Sequence, residues 1–356
     1  MKKVLSVLIA SLCLLAGCSS SNSENAVEKY GSDTLKVFTW GEYMSDDMIP
    51  NFEEKFGVKV IVDLFSSNEE MYTKLLGGER YDVLVPSDYM IERLMKEDKL
   101  QTLDQSLIPN MSELSEDVVG LPYDENNDYS IPYFWGSVGI VYNSKNVDPA
   151  EIEEKGWNIL KDPKYAGHLY MYDSERDSFM VALKALGYSM NTSNPDEIQE
   201  AYEWLVELDD TMNPDYVTDE VNDYMSNGQR DLAVVYSGAA SYIISNNPDM
   251  RFYSPSEGTN IWSDAMVIPA DAPNPKLAHE FINYALEYDV AVANSEAVGY
   301  TPSNQEATDF MASEEGSFYG NEAFLPHPDF TKDEVFVYNP EQVELLSELW
   351  IKVKAH

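Results

Sequence analysis

The chain has 356 residues, with 63 Asp and Glu against 23 Lys and Arg, so its formal net charge is −40. This balance argues against a nucleic-acid partner, because phosphate binding draws on clustered Lys and Arg. Hydrophobic residues make up 44% of the chain, which is enough for folded cores and argues against general disorder. The length predicts about two domains. An acidic surface concentrates cations, which makes a cationic ligand a first hypothesis.

The N-terminus has the pattern of a secretory signal peptide over residues 1–17. Lys2 and Lys3 precede the apolar run from Val4 to Leu15, which is too short for a permanent membrane span. The run ends in Leu-Ala-Gly-Cys, which resembles the bacterial lipobox and predicts a lipid on Cys18. A plain secretory signal with an unmodified Cys18 is the alternative. Residues 18–33 form a polar tether, so we expect an exported protein anchored at the outer face of the cell membrane.

Strand and helix patterns alternate in the first hundred residues. Strands are predicted at Thr34–Trp40, Val58–Phe65 and Tyr81–Val85, and helices at Ser45–Phe56, Glu69–Leu76 and Ser87–Lys96. This alternation predicts a parallel sheet flanked by helices. Ligands of such sheets lie beyond the carboxyl ends of the strands. Trp40 and Tyr43 follow the first strand, and Ser87 and Tyr89 follow the third.

The rest of the chain predicts a second unit and connections between the two. The extended stretch Tyr129–Tyr142 is interpreted as a crossover between domains. A helix opens at Asn194 with Pro195 at its first position. Strands at Asp231–Tyr236 and Ala265–Ile268 and a helix at Pro275–Tyr288 follow.

Catalytic and metal-binding signatures are absent from the sequence. No two of the four histidines share a helix face, and no cysteine remains after signal cleavage and lipidation, so neither a metal nor another cofactor is expected. There is no nucleophile elbow, phosphate loop or dinucleotide-binding turn. An enzyme is therefore not expected, although composition alone leaves open a carboxylate pair for glycoside hydrolysis. The histidines are His168, His279, His327 and His356.

Aromatic residues at strand ends, with carboxylates close by, form the candidate binding chemistry. The acids are Asp177 and Asp264, and the aromatic residues are Trp40, Tyr43, Tyr89, Tyr236, Trp262 and Tyr300. A long alkyl-ammonium ligand needs this mixture, because its methylenes pack on rings and its ammonium groups bind ring faces and carboxylates. Alternatively, the aromatic residues belong to the core, Asp177 is a helix N-cap and Asp264 is a turn residue.

Six spaced segments resemble the spermidine/putrescine-binding proteins of bacterial polyamine ABC transporters, from Thr34 to the C-terminal helix. They are Phe38–Tyr43, Tyr81–Tyr89, Asn127–Gly136, Leu186–Ser189, Ile261–Pro269 and Val298–Pro302. The resemblance implies an α/β, two-lobe periplasmic-binding-protein-like fold. Each lobe would be a mostly parallel sheet flanked by helices, with hinge crossovers between lobes. We expect residues 34–137 and 262–309 to form lobe 1, and residues 138–261 and 310–356 to form lobe 2.

The resemblance also implies a function and a set of contacts. The protein would be a monomer that captures putrescine or spermidine between its lobes and delivers it to the permease subunits. Ser174 stands where relatives carry an acid, Tyr236 replaces a tryptophan and Thr218 replaces a serine. A last contact is expected near Tyr338 or Asn339. The implied ligand contacts are Trp40, Tyr43, Ser87, Tyr89, Asp177, Thr218, Tyr236, Trp262, Asp264 and Tyr300.

Other functions remain open at this stage. One is a receptor for an amino acid, a sugar or ferric ion, although no arginine stands at a predicted strand end to bind an α-carboxylate. Another is an anchored hydrolase or an adhesin. Turnover would identify a hydrolase, whereas an adhesin would show no stabilisation by small ligands.

Overall fold

The computed structural model describes residues 25–325 and 331–356. The predicted signal peptide, Cys18 and the first part of the tether lie outside the described residues. The strands, in chain order, are β1 Thr34–Trp40, β2 Lys59–Phe65, β3 Val83–Leu84, β4 Ser130–Asn143, β5 Leu169–Tyr172, β6 Asp215–Val217, β7 Leu232–Tyr236, β8 Met250–Tyr253, β9 Ile261–Val267 and β10 Thr301–Pro302.

The helices surround these strands. After α1 (residues 25–30) come α2 Met48–Phe56, α3 Asn68–Leu76, α4 Asp88–Lys96, α5 Pro149–Lys155, α6 Glu175–Ala185, α7 Pro195–Met212, α8 Val221–Ser226, α9 Ser237–Asn246, α10 Pro275–Ala285, α11 Tyr288–Val298, α12 Gln305–Ala312 and α13 Pro340–Lys354. Over the two described stretches of chain, none of the helices combines the length and the apolar character that crossing a bilayer requires.

The first part of the sheet follows the predicted parallel order. β1 pairs in parallel with β2 on one side and with β3 on the other, which confirms the β-α-β-α-β prediction. Alternating apolar side chains put Leu35 and Val37 of β1 fully in the core. β9 then pairs antiparallel with β3, with Leu84 opposite Val267. The strand order is β2-β1-β3-β9-β4-β7-β5-β6, and β8 and β10 also pair with β4.

β4 connects the two lobes. Its first half, to Ser137, pairs with β9, whereas its second half, from Val138, pairs with β7 and β8. All its residues except Asn143 are buried, as expected for a strand covered on both faces. β5 pairs in parallel with β6 and β7, which completes the second lobe. The predicted crossover role of this stretch is confirmed, while the residue boundaries assigned to the lobes stay a prediction.

Some predicted element bounds were wrong. The first helix begins at Met48 rather than at Ser45, because residues 45–48 close a turn through the Met48 amide and the Ser45 carbonyl. The predicted helix Pro275–Tyr288 ends at Ala285, and a second helix that was not predicted begins at Tyr288, after Glu287 with its extended backbone (φ −60°, ψ 137°). β9 begins at Ile261, four residues before the predicted start. Its polar residues Ser263 and Asp264 hide the strand pattern, and pairing with β4 overrides it.

A C-terminal segment passes beside the crossover and is held by a buried ion pair. The Glu334 backbone bonds to Thr259 and Ile261, with N···O distances of 3.0 and 2.9 Å. Its carboxylate accepts bonds from the Lys184 ammonium and, at 2.5 Å, from the Ser189 hydroxyl. Burial opposes ionisation, but these donors keep the pKa of Glu334 below its usual value. Lys184 is only 4% exposed, and Glu334 supplies the counter-charge to its buried ammonium group.

Replacing Lys184 tests this anchor. Lys184→Met should lower the free energy of unfolding by about 2 kcal/mol, because it strands a partly buried carboxylate. The matched control is Lys145→Met, which removes an exposed pair with Asp249 and should cost less than about 1 kcal/mol. Urea unfolding measures both variants. Equal effects would show that the Glu334 contact does not stabilise the C-terminal segment.

Candidate ligand-binding site

Four aromatic residues singled out from the sequence form a continuous row. Their order is Tyr43, Tyr300, Trp262 and Tyr236. Successive ring centroids are 5.9, 5.0 and 6.1 Å apart, and the ring planes meet at 63°, 85° and 83°. Edge-to-face contacts of this kind are favourable and fix the ring positions. We call these four residues the aromatic row.

A buried carboxylate lies at each end of the aromatic row. The Tyr43 hydroxyl donates to Asp264, and the Tyr236 hydroxyl donates to Asp177 Oδ2 at 2.6 Å. Asp264 is 7% exposed and Asp177 is 5% exposed. Among the described residues, no Lys, Arg or His nitrogen lies within 4.0 Å of either carboxylate. Buried carboxylates normally have such a partner, so this arrangement is typical of a binding site for a cation.

Local structure accounts for the position of Asp264. Trp262 and Asp264 alternate along β9 and so share one face of the strand. An isolated bridge joins Asp264 to Ser87, supported by the Ala265 amide donating to the Pro86 carbonyl at 3.0 Å. The carboxylate therefore stands where β3 ends and α4 begins.

Asp177 lies in the first turn of α6. The N-cap is Ser174, whose hydroxyl accepts from the Asp177 amide at 3.3 Å. The alternative interpretation of Asp177 as the N-cap is thus wrong, and its carboxylate is free to bond Tyr236. Ser174 has a structural role here, since it caps this helix.

Two glycines allow the aromatic row to lie against the backbone. A Cβ on Gly136 would clash with the Trp262 indole, and a Cβ on Gly238 would clash with the Tyr300 ring. Gly136 belongs to β4 and Gly238 to α9, so close packing is required on both sides of the row.

Burial dominates the electrostatics of the two carboxylates. It raises the pKa of Asp264 to about 6, against the opposing effect of bonds from Ser87 and Tyr43. It also raises the pKa of Asp177, where bonds from Tyr236 and Ser174 and the Arg176 charge oppose the shift. The pKa values of the Tyr43 and Tyr236 phenols are well above 10, mainly because of burial and then because of their carboxylate partners. The tyrosines therefore remain donors at neutral pH.

The remaining contacts predicted from the sequence are Trp40, Ser87, Tyr89 and Thr218. Trp40 is half-buried, 4.5 Å from the Phe65 ring, and its buried indole nitrogen has no partner. Ser87 and Tyr89 are held together by the Asn68 side-chain amide, at 3.1 and 2.9 Å. Thr218 is exposed, and its hydroxyl donates to Glu220, so the structure does not join it to the row.

Sequence reasoning missed several residues beside the site. Tyr172 lies 4.9 Å from the Tyr236 ring, and its place at the end of β5 could have identified it. The Arg176 guanidinium stacks on Tyr89 at 3.3 Å. Asp88 is buried beside Asp264, where its position before a helix suggested only a cap.

A cavity of about 650 Å³ lies elsewhere, lined by Tyr170, Asp215, Tyr224 and Arg230 among others. Arg230 is already bound by Asp215 and by the Gly167 carbonyl. In the described part of the chain, no group of three or more His, Cys, Asp or Glu side chains is arranged to hold a metal ion.

The sequence and the fold both match known proteins. The family description for bacterial extracellular solute-binding proteins matches residues 47–320. The spermidine/putrescine-binding periplasmic protein of Escherichia coli (strain K12) is 35% identical over 316 residues, 88% of each chain. The spermidine/putrescine-binding periplasmic protein 1 of Haemophilus influenzae is 32% identical over 341 residues, 94% of this chain and 93% of its own.

A solved structure shows the same fold. It is the substrate-binding protein of a spermidine/putrescine ABC transporter from Streptococcus pneumoniae strain Canada MDR_19A, in complex with calcium and HEPES. Its sequence is 33% identical and its TM-score is 0.79, with 91% of this chain and 99% of that chain covered. The two-lobe α/β fold expected from the sequence is thereby confirmed.

The raised pKa of Asp264 predicts a pH effect on stability without ligand. A carboxyl with a pKa near 3.9 when unfolded and about 6 when folded stabilises the fold below pH 4 and loses that contribution as pH rises through 6. From pH 4 to 7.5, wild type should therefore lose about 2 kcal/mol relative to Asp264→Asn. Urea unfolding at both pH values measures this. The control Glu348→Gln, at an exposed site on α13, should run parallel to wild type, and parallel curves for Asp264→Asn would contradict the assignment.

Proposed function

The chain belongs to the bacterial extracellular solute-binding proteins, and we propose that it binds a polyamine, putrescine or spermidine, between its lobes. It would deliver the polyamine to the membrane permease of an ABC importer. The names of the E. coli and H. influenzae relatives, which are spermidine/putrescine-binding proteins, support this ligand class. The family acts in solute binding and transport rather than in catalysis.

The observation that carries the proposal is the aromatic row, with a buried carboxylate at each end that has no basic partner among the described residues. A diamine matches it in charge and in chemistry, with two cations for two acids, joined by methylenes that pack on rings. Each charge-assisted hydrogen bond contributes about 1.5–3 kcal/mol, and each cation over a ring about 0.5–2 kcal/mol. On binding, the Asp264 and Asp177 carboxylates would exchange their hydrogen bonds from the Tyr43 and Tyr236 hydroxyls for hydrogen bonds from ammonium groups.

The same chemistry disfavours the competing receptors. An amino acid needs a cation for its carboxylate, and Arg176, beside the site, is stacked on Tyr89. A sugar would leave both buried carboxylates without counter-charge, which is costly.

Entry of the ligand requires the lobes to separate. Arg176 on α6 and Tyr89 on α4 touch across the site, as do Tyr236 and Trp262. β4 is shared by both lobes, so a change of backbone angle near Ser137 would open these contacts together. We propose hinge closure on the ligand, the usual motion of two-lobe receptors.

We further propose that the mature protein is a monomer held at the cell membrane by a lipid on Cys18. The Leu-Ala-Gly-Cys sequence after an apolar run supports this. Of the predicted tether, residues 25–30 form α1, whose Ala26 and Tyr30 pack in the core, so a flexible connection of the whole stretch 18–33 is not observed.

Binding is tested first on the protein without its signal and Cys18. Putrescine or spermidine should raise Tm at low salt, because saturating a micromolar site stabilises a protein by several kcal/mol. No shift at millimolar concentration of either polyamine, with shifts for basic amino acids or sugars, would identify a different receptor.

The role of Asp264 is tested by calorimetric titration. Asp264→Asn keeps the size of the side chain but removes the charge, and it should weaken polyamine binding about tenfold or more. Glu348→Gln removes one charge from an exposed site and should bind as wild type does. If the two variants bind alike, Asp264 does not contact the ligand.

The lipid anchor is tested in the full-length protein. Cys18→Ser should remove the lipid mass and release the protein from the membrane fraction, because no acyl acceptor remains. Cys13→Ser is the matched control, since Cys13 lies inside the predicted signal peptide. Membrane retention and an unchanged mass in Cys18→Ser would contradict the proposal.

A further inference from the structure

We propose that Asp88 is a second ligand carboxylate, which together with Asp264 selects a primary ammonium group at that end of the site. The inference rests on the proposed polyamine function and assigns a specificity role to a residue that lies between Ser87 and Tyr89 after the third strand but is not among the ligand contacts that the resemblance implies.

Asp88 is a buried acid with an unused oxygen. It is 1% exposed. Its Oδ1 accepts from the Tyr89 amide at 2.6 Å, whereas its Oδ2 is buried and has no hydrogen-bond partner. No Lys, Arg or His nitrogen of the described residues lies within 4.0 Å of it. A buried carboxylate oxygen without a donor is costly, and a helix start alone does not account for it.

The surroundings of Asp88 extend the site behind Asp264. The Ser87–Asp264 bridge puts Asp88 one residue from the strand partner of Asp264. The Tyr123 and Ser263 hydroxyls are also buried there, close to each other. Burial and then the Asp88 charge raise the pKa of Tyr123, which indicates that the phenol and the carboxylate are close. The unpartnered Asp88 oxygen and two buried hydroxyls therefore lie together near Asp264.

The groups around Asp88 have opposing effects on the ionisation of its carboxyl. Burial, with help from the Asp264 charge, raises its pKa to about 7, while the Tyr89 amide, Arg176 and the Ser263 amide oppose the shift. Arg176 is engaged with the Tyr89 ring, so it does not neutralise the acid through direct contact. An arriving cation would supply the missing charge.

The number of donors explains the proposed selectivity. A primary ammonium group has three N–H donors, enough for Asp264, Asp88 and one nearby hydroxyl. A secondary amine has two and a quaternary ammonium has none. The Asp88–Asp264 end would therefore take a terminal amine rather than the central amine of a triamine.

Calorimetric titration with putrescine at pH 8 tests the role of Asp88. Asp88→Asn should weaken binding about tenfold, and adding it to Asp264→Asn should cost less than the sum of the two single effects, because both acids hold one group. Asp98→Asn is the control: it lies just after α4, is exposed, and has a left-handed backbone that asparagine tolerates. It should bind as wild type does.

Unliganded stability separates a binding role from a structural one. Removing an unpaired buried charge should leave the Tm of Asp88→Asn at pH 8 equal to or above that of wild type, whereas a structural cap would lower it. Asp88→Ser, which keeps a capping oxygen, repeats the test if the first variant folds poorly. Wild-type affinity in either variant overturns the inference and leaves the proposed function intact. Failure of the wild-type protein to bind any polyamine would overturn both.

Discussion

The structure depends on three carboxylates, those of Asp88, Asp177 and Asp264, which are buried without a basic partner among the described residues. Most of the net charge of −40 is carried by exposed acids, which solvent and salt screen. Burial raises the pKa values of these three acids and makes a counter-charge valuable, whereas the equally buried Asp82 and Asp124 accept several backbone amides. In this state the Tyr43 and Tyr236 hydroxyls take the place of that counter-charge for two of them. The acidic composition is thus background, and specificity is assigned to these positions.

The scaffold gathers the acids from distant parts of the chain. Asp264 comes from β9 and Asp177 from α6, on opposite sides of the partner change in β4. The aromatic row bridges that change, since Trp262 on β9 touches Tyr236 at the end of β7. A motion that parts the lobes would divide the row at this contact and expose both carboxylates. Binding and closure are therefore coupled through the same side chains, because the ligand supplies the charge that each half lacks.

Much of the fold could be predicted because local patterns and tertiary structure agree in β1 to α4, where buried apolar strands alternate with helices. Prediction failed where tertiary contacts decide. The polar residues Ser263 and Asp264 concealed half of β9, and the extended backbone at Glu287 separates the predicted helix from a following helix, Tyr288–Val298, that was not predicted. The same contrast applies to the candidate site. Its residues at strand ends, such as Trp262 and Tyr236, were predicted from pattern and resemblance. The burial of Asp88 and the stacking of Arg176 on Tyr89 could not be found, because a sequence does not show which polar atoms lose contact with water.

The central claim is that the two ends of the aromatic row bind the two ammonium groups of a diamine. A crystal structure of the protein grown with putrescine tests it most directly. One terminal nitrogen of putrescine should lie within about 3 Å of an Asp264 oxygen, and the other within about 3 Å of an Asp177 oxygen. The methylenes should lie against Trp262 and Tyr300. Putrescine bound elsewhere, or bound here with both tyrosine–carboxylate bonds intact, would contradict the account.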